Sequence, residues 1–234
     1  MISHEEQQRI WDEEHAAPVV LKQMDSDEVS SSVVAFFKFL SESDSACATG
    51  IEMGCGKGRN TIWLARHGVS MCGFDFSENA ITEAVRRADE AGVAAKTSFL
   101  VQDATKPWRY DPEQFDFGID CFASTDIESE GGRIFAIAEM HRALKPGGYL
   151  MAYLLSPEDE FHKEMIAKYP AHERGAFIHP TGKFEKTFDD EEIAQLFKDF
   201  EVVRHERWQK TTEFSGKKYA CTHHWLVFQK PSAH

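Results

Sequence analysis

The chain is 234 residues long and carries 26 basic residues against 39 acidic ones, a net charge of −13. That length suits one domain with a sizeable core, and 12% aromatic content, including 18 Phe, favours packing over disorder. The acidic balance lacks the cationic field that phosphate backbones attract, which argues against nucleic acid as a partner. No apolar run approaches the roughly 18 residues of a membrane span, and the polar N-terminus MISHEEQQRIWDEEH is unlike a secretory or transit signal. Five cysteines, odd in number and mostly in apolar or glycine-rich surroundings, suit reduced thiols in a cytoplasmic protein.

Trp11 and His15 lie four apart and share one face of a short N-terminal helix. Val29, Val33, Phe36, Phe37 and Leu40 then recur at helical spacing behind the capping candidates Asp25, Ser26 and Asp27. A strand over 49–53 runs into Gly54-Cys55-Gly56-Lys57-Gly58, followed by a helix over 59–67 that Gly68 ends. A second strand over 69–75 leads to Ser77, a good N-cap, and to a helix burying Ile81, Ala84, Val85, Ala88 and Ala91. Strands over 97–101 and 115–122, a helix over 134–144, the turn Lys145-Pro146-Gly147-Gly148 and a strand over 149–155 complete this part. Strand and helix alternate throughout, the pattern of a doubly wound, mainly parallel α/β sheet.

The remainder differs. Ser156-Pro157 is positioned to cap a helix reaching Tyr169, and an irregular stretch follows with the turn Pro180-Thr181-Gly182. Asp189 with Glu192 forms a capping-box pattern ahead of Ile193, Leu196 and Phe197. Strands over 201–209 and 219–229, separated by a loop with Ser215-Gly216, read as an antiparallel hairpin closing the sheet. The 156–188 stretch is too long for a plain connection and is expected to cover a site.

The glycine run carries the chemistry. Without a Cβ the backbone turns tightly and approaches a ligand closely. Asp75 sits about 20 residues later at a strand end, where a carboxylate takes ribose hydroxyls. The pattern from Glu52 is E-x-G-x-G-x-G. A carboxylate two residues before the first glycine opposes a diphosphate and suits an ammonium group. The spacing therefore favours a positively charged nucleoside over a dinucleotide, and points to S-adenosylmethionine.

Three motifs together resemble the class I S-adenosylmethionine-dependent methyltransferases over residues 49–155. They are Ile51-Glu52-Met53-Gly54-Cys55-Gly56-Lys57-Gly58, Gly73-Phe74-Asp75-Phe76-Ser77 and Leu144-Lys145-Pro146-Gly147-Gly148. The resemblance implies one domain over 1–234 with a Rossmann-like, seven-stranded sheet. Residues 1–45 would be an N-terminal helical segment, while the long 156–188 stretch, expected from its length to be a substrate lid, departs from the tellurite-resistance-like members of the family. It implies that Glu52 reaches the methionine ammonium through water and that Gly54 and Gly56 line the methionine moiety. Asp75 would hold the ribose, Phe76 would pack on adenine, and Asp103 and the Ala104 amide would read its edge. The backbone around Asp120 and Cys121 would complete the methionine end, and Trp11 would fold over the cofactor. Cys55-Gly56-Lys57-Gly58-Arg59-Asn60 and the later Phe188-Asp189-Asp190-Glu191-Glu192-Ile193 further resemble tellurite-resistance methyltransferases and similar small-molecule enzymes.

Methyl transfer from a sulfonium needs positioning and desolvation before it needs a base. Should the acceptor carry a proton, Asp120, His179 and His15 are the candidate bases. No metal site is expected: Cys221, His223 and His224 share a strand on which 224 faces away from the other two, with no second Cys/His pair at zinc spacing. Asp116 and His141 read as structural, and Arg204, Arg207, Lys210, Lys217 and Lys218 as a solvated sheet edge. The expected partner is a small molecule. An RNA or protein acceptor, a nicotinamide-dependent dehydrogenase and a non-catalytic sensor of S-adenosylmethionine are the alternatives.

Overall fold

The structure is a computed structural model that describes residues 3–16, 26–43, 47–214 and 216–232. The capping candidate Asp25 and loop residue Ser215 lie outside the described residues. In chain order the elements are α1 (His4–Ala16), α2 (Ser31–Glu42), β1 (Thr49–Met53), α3 (Arg59–Arg66), β2 (Ser70–Asp75), α4 (Glu78–Glu90), β3 (Thr97–Val101) and β4 (Phe115–Cys121). There follow α5 (Ala123–Asp126), α6 (Glu130–Ala143), β5 (Leu144–Leu155), α7 (Glu160–Lys168), β6 (Ala176–Ile178), β7 (Phe184–Lys186), α8 (Asp190–Leu196), β8 (Glu201–Phe214) and β9 (Lys217–Gln229).

Seven strands form one sheet in the order β3-β2-β1-β4-β5-β9-β8. The first five are parallel, and β9 pairs antiparallel with both β5 and β8. β1 pairs on one side with β2 and on the other with β4, so the winding reverses there. A crevice opens at the carboxyl ends of these strands, where such sheets take ligands. Apolar clusters pack on both sheet faces: Ile51, Phe74, Met140, Leu150 and Phe228 on one, Val33, Phe36, Met71, Phe117 and Trp225 on the other. Asp116 ties β4 to the start of β1, accepting from the Ala48 and Thr49 amides and the Thr49 hydroxyl while pairing with Lys145.

Local sequence misplaced several boundaries. α2 begins after Ser30, which makes no side-chain cap, rather than behind residues 25–27. Val85 is 45% exposed and Ile134 52% exposed, not buried. On α6 the buried stripe is instead Arg133, Ala136, Ile137, Met140 and Ala143. Arg133 goes inside because it donates to the Ile127 carbonyl and pairs with Glu173, partners no helical period reveals. His141 is half-buried, edge-on to Phe200 at 5.0 Å. α7 is capped by Asp159, accepting from the His162 amide, not by Ser156-Pro157. The 156–188 stretch holds α7 and the short β6–β7 hairpin, which its composition concealed.

Candidate functional site

β1 and α3 deliver the first wall. Gly54 and Gly56 have φ of +63° and +51°, the left-handed region that favours glycine. A Cβ on Gly54 would also sit 2.6 Å from the Ala123 Cβ. Glu52 is 1% exposed and accepts from Asn60 Nδ2 at 2.8 Å, the Thr61 amide at 3.1 Å and Thr61 Oγ1 at 2.6 Å. Burial pushes its pKa up while these donors pull it down. Its carboxylate thus anchors the first turn of α3 to β1 as well as bordering the crevice.

β2 delivers the second wall. Asp75 Oδ2 accepts from the Gly56 amide and Oδ1 from the Ser77 amide, both at 3.0 Å. The carboxylate therefore holds the glycine loop against the strand that carries it. After β3, Asp103 accepts from the amide and hydroxyl of Thr105. After β4, Phe122 adopts φ of +72°, an uncommon backbone state for a side chain this large. That kink turns the chain into α5 and brings Asp126 to the crevice.

α1 forms a roof. His4 bridges Asp103 Oδ2 and Glu128 Oε1, at 2.8 Å each. Hydrogen bonds to the two carboxylates raise its pKa to about 10. Gln7 donates to the Gly182 carbonyl and accepts from the Phe184 amide. Asp12 accepts from the Ser77 hydroxyl and the Asn79 amide at the start of α4. Glu14 pairs with Lys183 at 2.6 Å, and the same ammonium lies 4.6 Å from the centre of the Trp11 ring. The roof is thus fastened to the sheet loops on one side and to the β6–β7 hairpin on the other.

Beneath it lies a cavity of about 310 Å³. Glu52, Gly54, Gly56, Asp75, Phe76, Asp103, Ala104, Cys121 and Trp11, all expected from the sequence, border this one space, and so does His15. Asp120 and His179 are not among its lining residues. Asp120 is fully buried and accepts from the Ser124 amide and hydroxyl, with burial pushing its pKa to about 6. His179 bonds Thr181 in the β6–β7 turn.

The sequence reading passed over His4, Gln7, Asp126 and Glu128. Among the described residues, Asp126 has one hydrogen bond, from Thr125 Oγ1 at 3.4 Å. Burial, and next the charge of Glu185, hold its pKa well above the ordinary carboxylate value. Its only sequence signal is an acidic turn a few residues beyond a parallel strand. The indole N–H of Trp11, Nδ1 of His15 and the side-chain amide nitrogen of Gln102 are buried without partners, all on cavity-lining residues. Burial keeps His15 below its ordinary pKa. Orphaned polar atoms and a glycine-lined cradle fit a nucleoside with heteroatoms to offer.

Residues 51–148 match the family described as a methyltransferase domain. An S-adenosylmethionine-dependent methyltransferase from Methanosarcina mazei is 24% identical, with 83% of this chain and 98% of that chain covered and a TM-score of 0.73. The 1,6-didemethyltoxoflavin N1-methyltransferase of Burkholderia thailandensis, solved with 1,6-didemethyltoxoflavin and S-adenosylhomocysteine, is 13% identical, with coverage of 99% and 92% and a TM-score of 0.69. TehB from Haemophilus influenzae is 16% identical, with coverage of 96% and 67% and a TM-score of 0.62. No curated protein sequence matches the chain. No helix among the described residues is long and apolar enough to cross a membrane.

Proposed function

We propose that this chain, whose residues 51–148 match a methyltransferase domain, uses S-adenosylmethionine to methylate a small molecule held beneath α1 and the 156–188 segment. The enclosure carries this reading. A roof fastened on both sides over the cavity that the cofactor residues line narrows the approach to it, which suits a compact acceptor better than a nucleic acid strand or a folded protein surface. The similar Burkholderia thailandensis structure, with 1,6-didemethyltoxoflavin bound, supports the same reading.

The cofactor supplies a methyl group on a sulfonium, so the leaving group departs neutral. Asp75 would take the ribose hydroxyls, Gly54 and Gly56 would let the backbone approach the methionine moiety, and Phe76 with Asp103 and Ala104 would receive the adenine. Glu52 keeps the loop in place and contributes negative charge at the ammonium end. α1 excludes water, which strengthens every electrostatic contact inside. Asp126, the last residue of α5, would take the proton from the acceptor's nucleophilic atom.

Release of S-adenosylhomocysteine from S-adenosylmethionine is the test. A panel of small amines, thiols, phenols and metalloid oxyanions is expected to include acceptors, while tRNA and a mixed-peptide pool give none. Turnover confined to the macromolecules would refute the small-molecule reading.

The roof gives a further expectation. Because His4 has a raised pKa, the clasp is complete below its ordinary value of 6.5 and is lost as pH rises through about 10. His4→Ala at neutral pH should reproduce that loss. Dissociation of S-adenosylhomocysteine, followed by stopped-flow tryptophan fluorescence, should quicken at least fivefold; an unchanged rate would show that His4 does not fasten the roof.

A further inference from the structure

Away from the cavity, three side chains from distant parts of the chain converge at the antiparallel end of the sheet. His205 on β8 and His224 on β9 are set diagonally across the hairpin, since Arg207 pairs with His224 and His205 with Leu226. Nε2 of His205 lies 2.9 Å from Nδ1 of His224. Asp190, the first residue of α8, places Oδ1 3.8 Å from the former and 4.0 Å from the latter. His224 is 1% exposed, and its other ring nitrogen is buried without a hydrogen bond. The fold thus buries an imidazole whose side-chain hydrogen-bond partner is a second imidazole, with the Phe188 backbone also facing it.

We propose that Asp190, His205 and His224 form a binding site for a divalent metal of the zinc type, which pins α8 to the β8–β9 hairpin. Zinc bonds of about 2.0–2.1 Å in tetrahedral geometry place ligand atoms about 3.3 Å apart. The observed separations of 2.9, 3.8 and 4.0 Å fall on either side of that value. Shifts of well under about 1 Å per donor convert the cluster into three corners of the tetrahedron, with the fourth open to water. Two imidazoles with one carboxylate select zinc-like ions over magnesium or calcium, which require oxygen donors.

Among the described residues that border this recess, one carries an opposing charge. Arg207 Nη2 donates to both Asp190 oxygens, at 2.9 and 2.7 Å, and its Nε lies 3.6 Å from Glu158. Glu158, Asp189 and Glu191 border the same recess, Asp189 being paired with Arg174 at 2.7 Å. A metal on Oδ1 leaves Oδ2 to Arg207, and removing Arg207 should strengthen the site.

The test is isothermal titration of the untagged, chelator-stripped full chain with zinc chloride. One equivalent is expected to bind. His205→Ala and Asp190→Asn alter exposed side chains and should keep the fold, monitored by circular dichroism, yet weaken binding at least tenfold. Arg207→Gln should tighten it, and His67→Ala, at an exposed histidine just after α3, should leave it unchanged. Affinity for S-adenosylhomocysteine should not move in any of these variants. Absence of saturable zinc binding, or binding that survives His205→Ala and Asp190→Asn, overturns the proposal.

Discussion

Asp75→Ala is expected to weaken binding of S-adenosylhomocysteine at least tenfold by isothermal titration. The carboxylate has two tasks. It accepts from the Gly56 and Ser77 amides, which fixes the glycine loop to the end of β2. In the proposed site it would also offer its remaining lone pairs to the ribose. Hydrogen bonds to a charged group are worth about 1.5–3 kcal/mol each, and about 1.4 kcal/mol is a factor of ten in affinity. Loss of even one such bond therefore meets the expectation. Asp75→Asn, which keeps the shape and one acceptor oxygen, should lose less. An alanine variant binding within threefold of the parent would remove Asp75 from the ribose site.

Asp126→Asn is expected to lower turnover with any protonated acceptor by about 100-fold, the lower range for loss of a general base. Affinity for S-adenosylhomocysteine should stay within about twofold, because the side chain faces the acceptor end in the scheme above. Asp126 has its pKa raised by burial and by Glu185. The ionised, proton-accepting form is then lost as pH falls through that raised value, giving the parent an acid limb in its pH–rate profile. The asparagine variant should lack the limb. Unchanged turnover, or an acid limb that persists in the variant, would exclude Asp126 as the base.

These two residues differ in how legible they were. Asp75 lies at the end of a strand directly after a glycine loop, and both features are short-range consequences of backbone sterics. The nine residues expected from the sequence to hold the cofactor border one cavity for the same reason. Asp126 shares a short stretch with Asp120, and composition does not say which carboxylate points inward. The positive φ of Phe122 decides it: the kink leaves Asp120 buried on Ser124 and carries Asp126 to the cavity.

The roof was half legible. The four-residue spacing of Trp11 and His15 placed them on one face of a helix, and both line the cavity. The fastenings are long-range. His4 meets Asp103 and Glu128 across 99 and 124 residues, and Gln7 meets Phe184 across 177. Periodicity carries no information at such separations. The same limit applies to His224: its strand neighbours Cys221 and His223 suggested no metal site, and its companions come from β8 and α8. It applies equally to Arg133, whose buried pairing with Glu173 turned Ile134 outward.

The central claim is that the glycine loop, Asp75 and the α1 roof enclose a sulfonium nucleoside. Titration of the untagged wild-type chain with S-adenosylhomocysteine and, separately, with NADH tests it most directly. The expected result is one-to-one, micromolar or tighter binding of S-adenosylhomocysteine with no saturable heat from NADH. Saturable NADH binding together with no response to S-adenosylhomocysteine would contradict it.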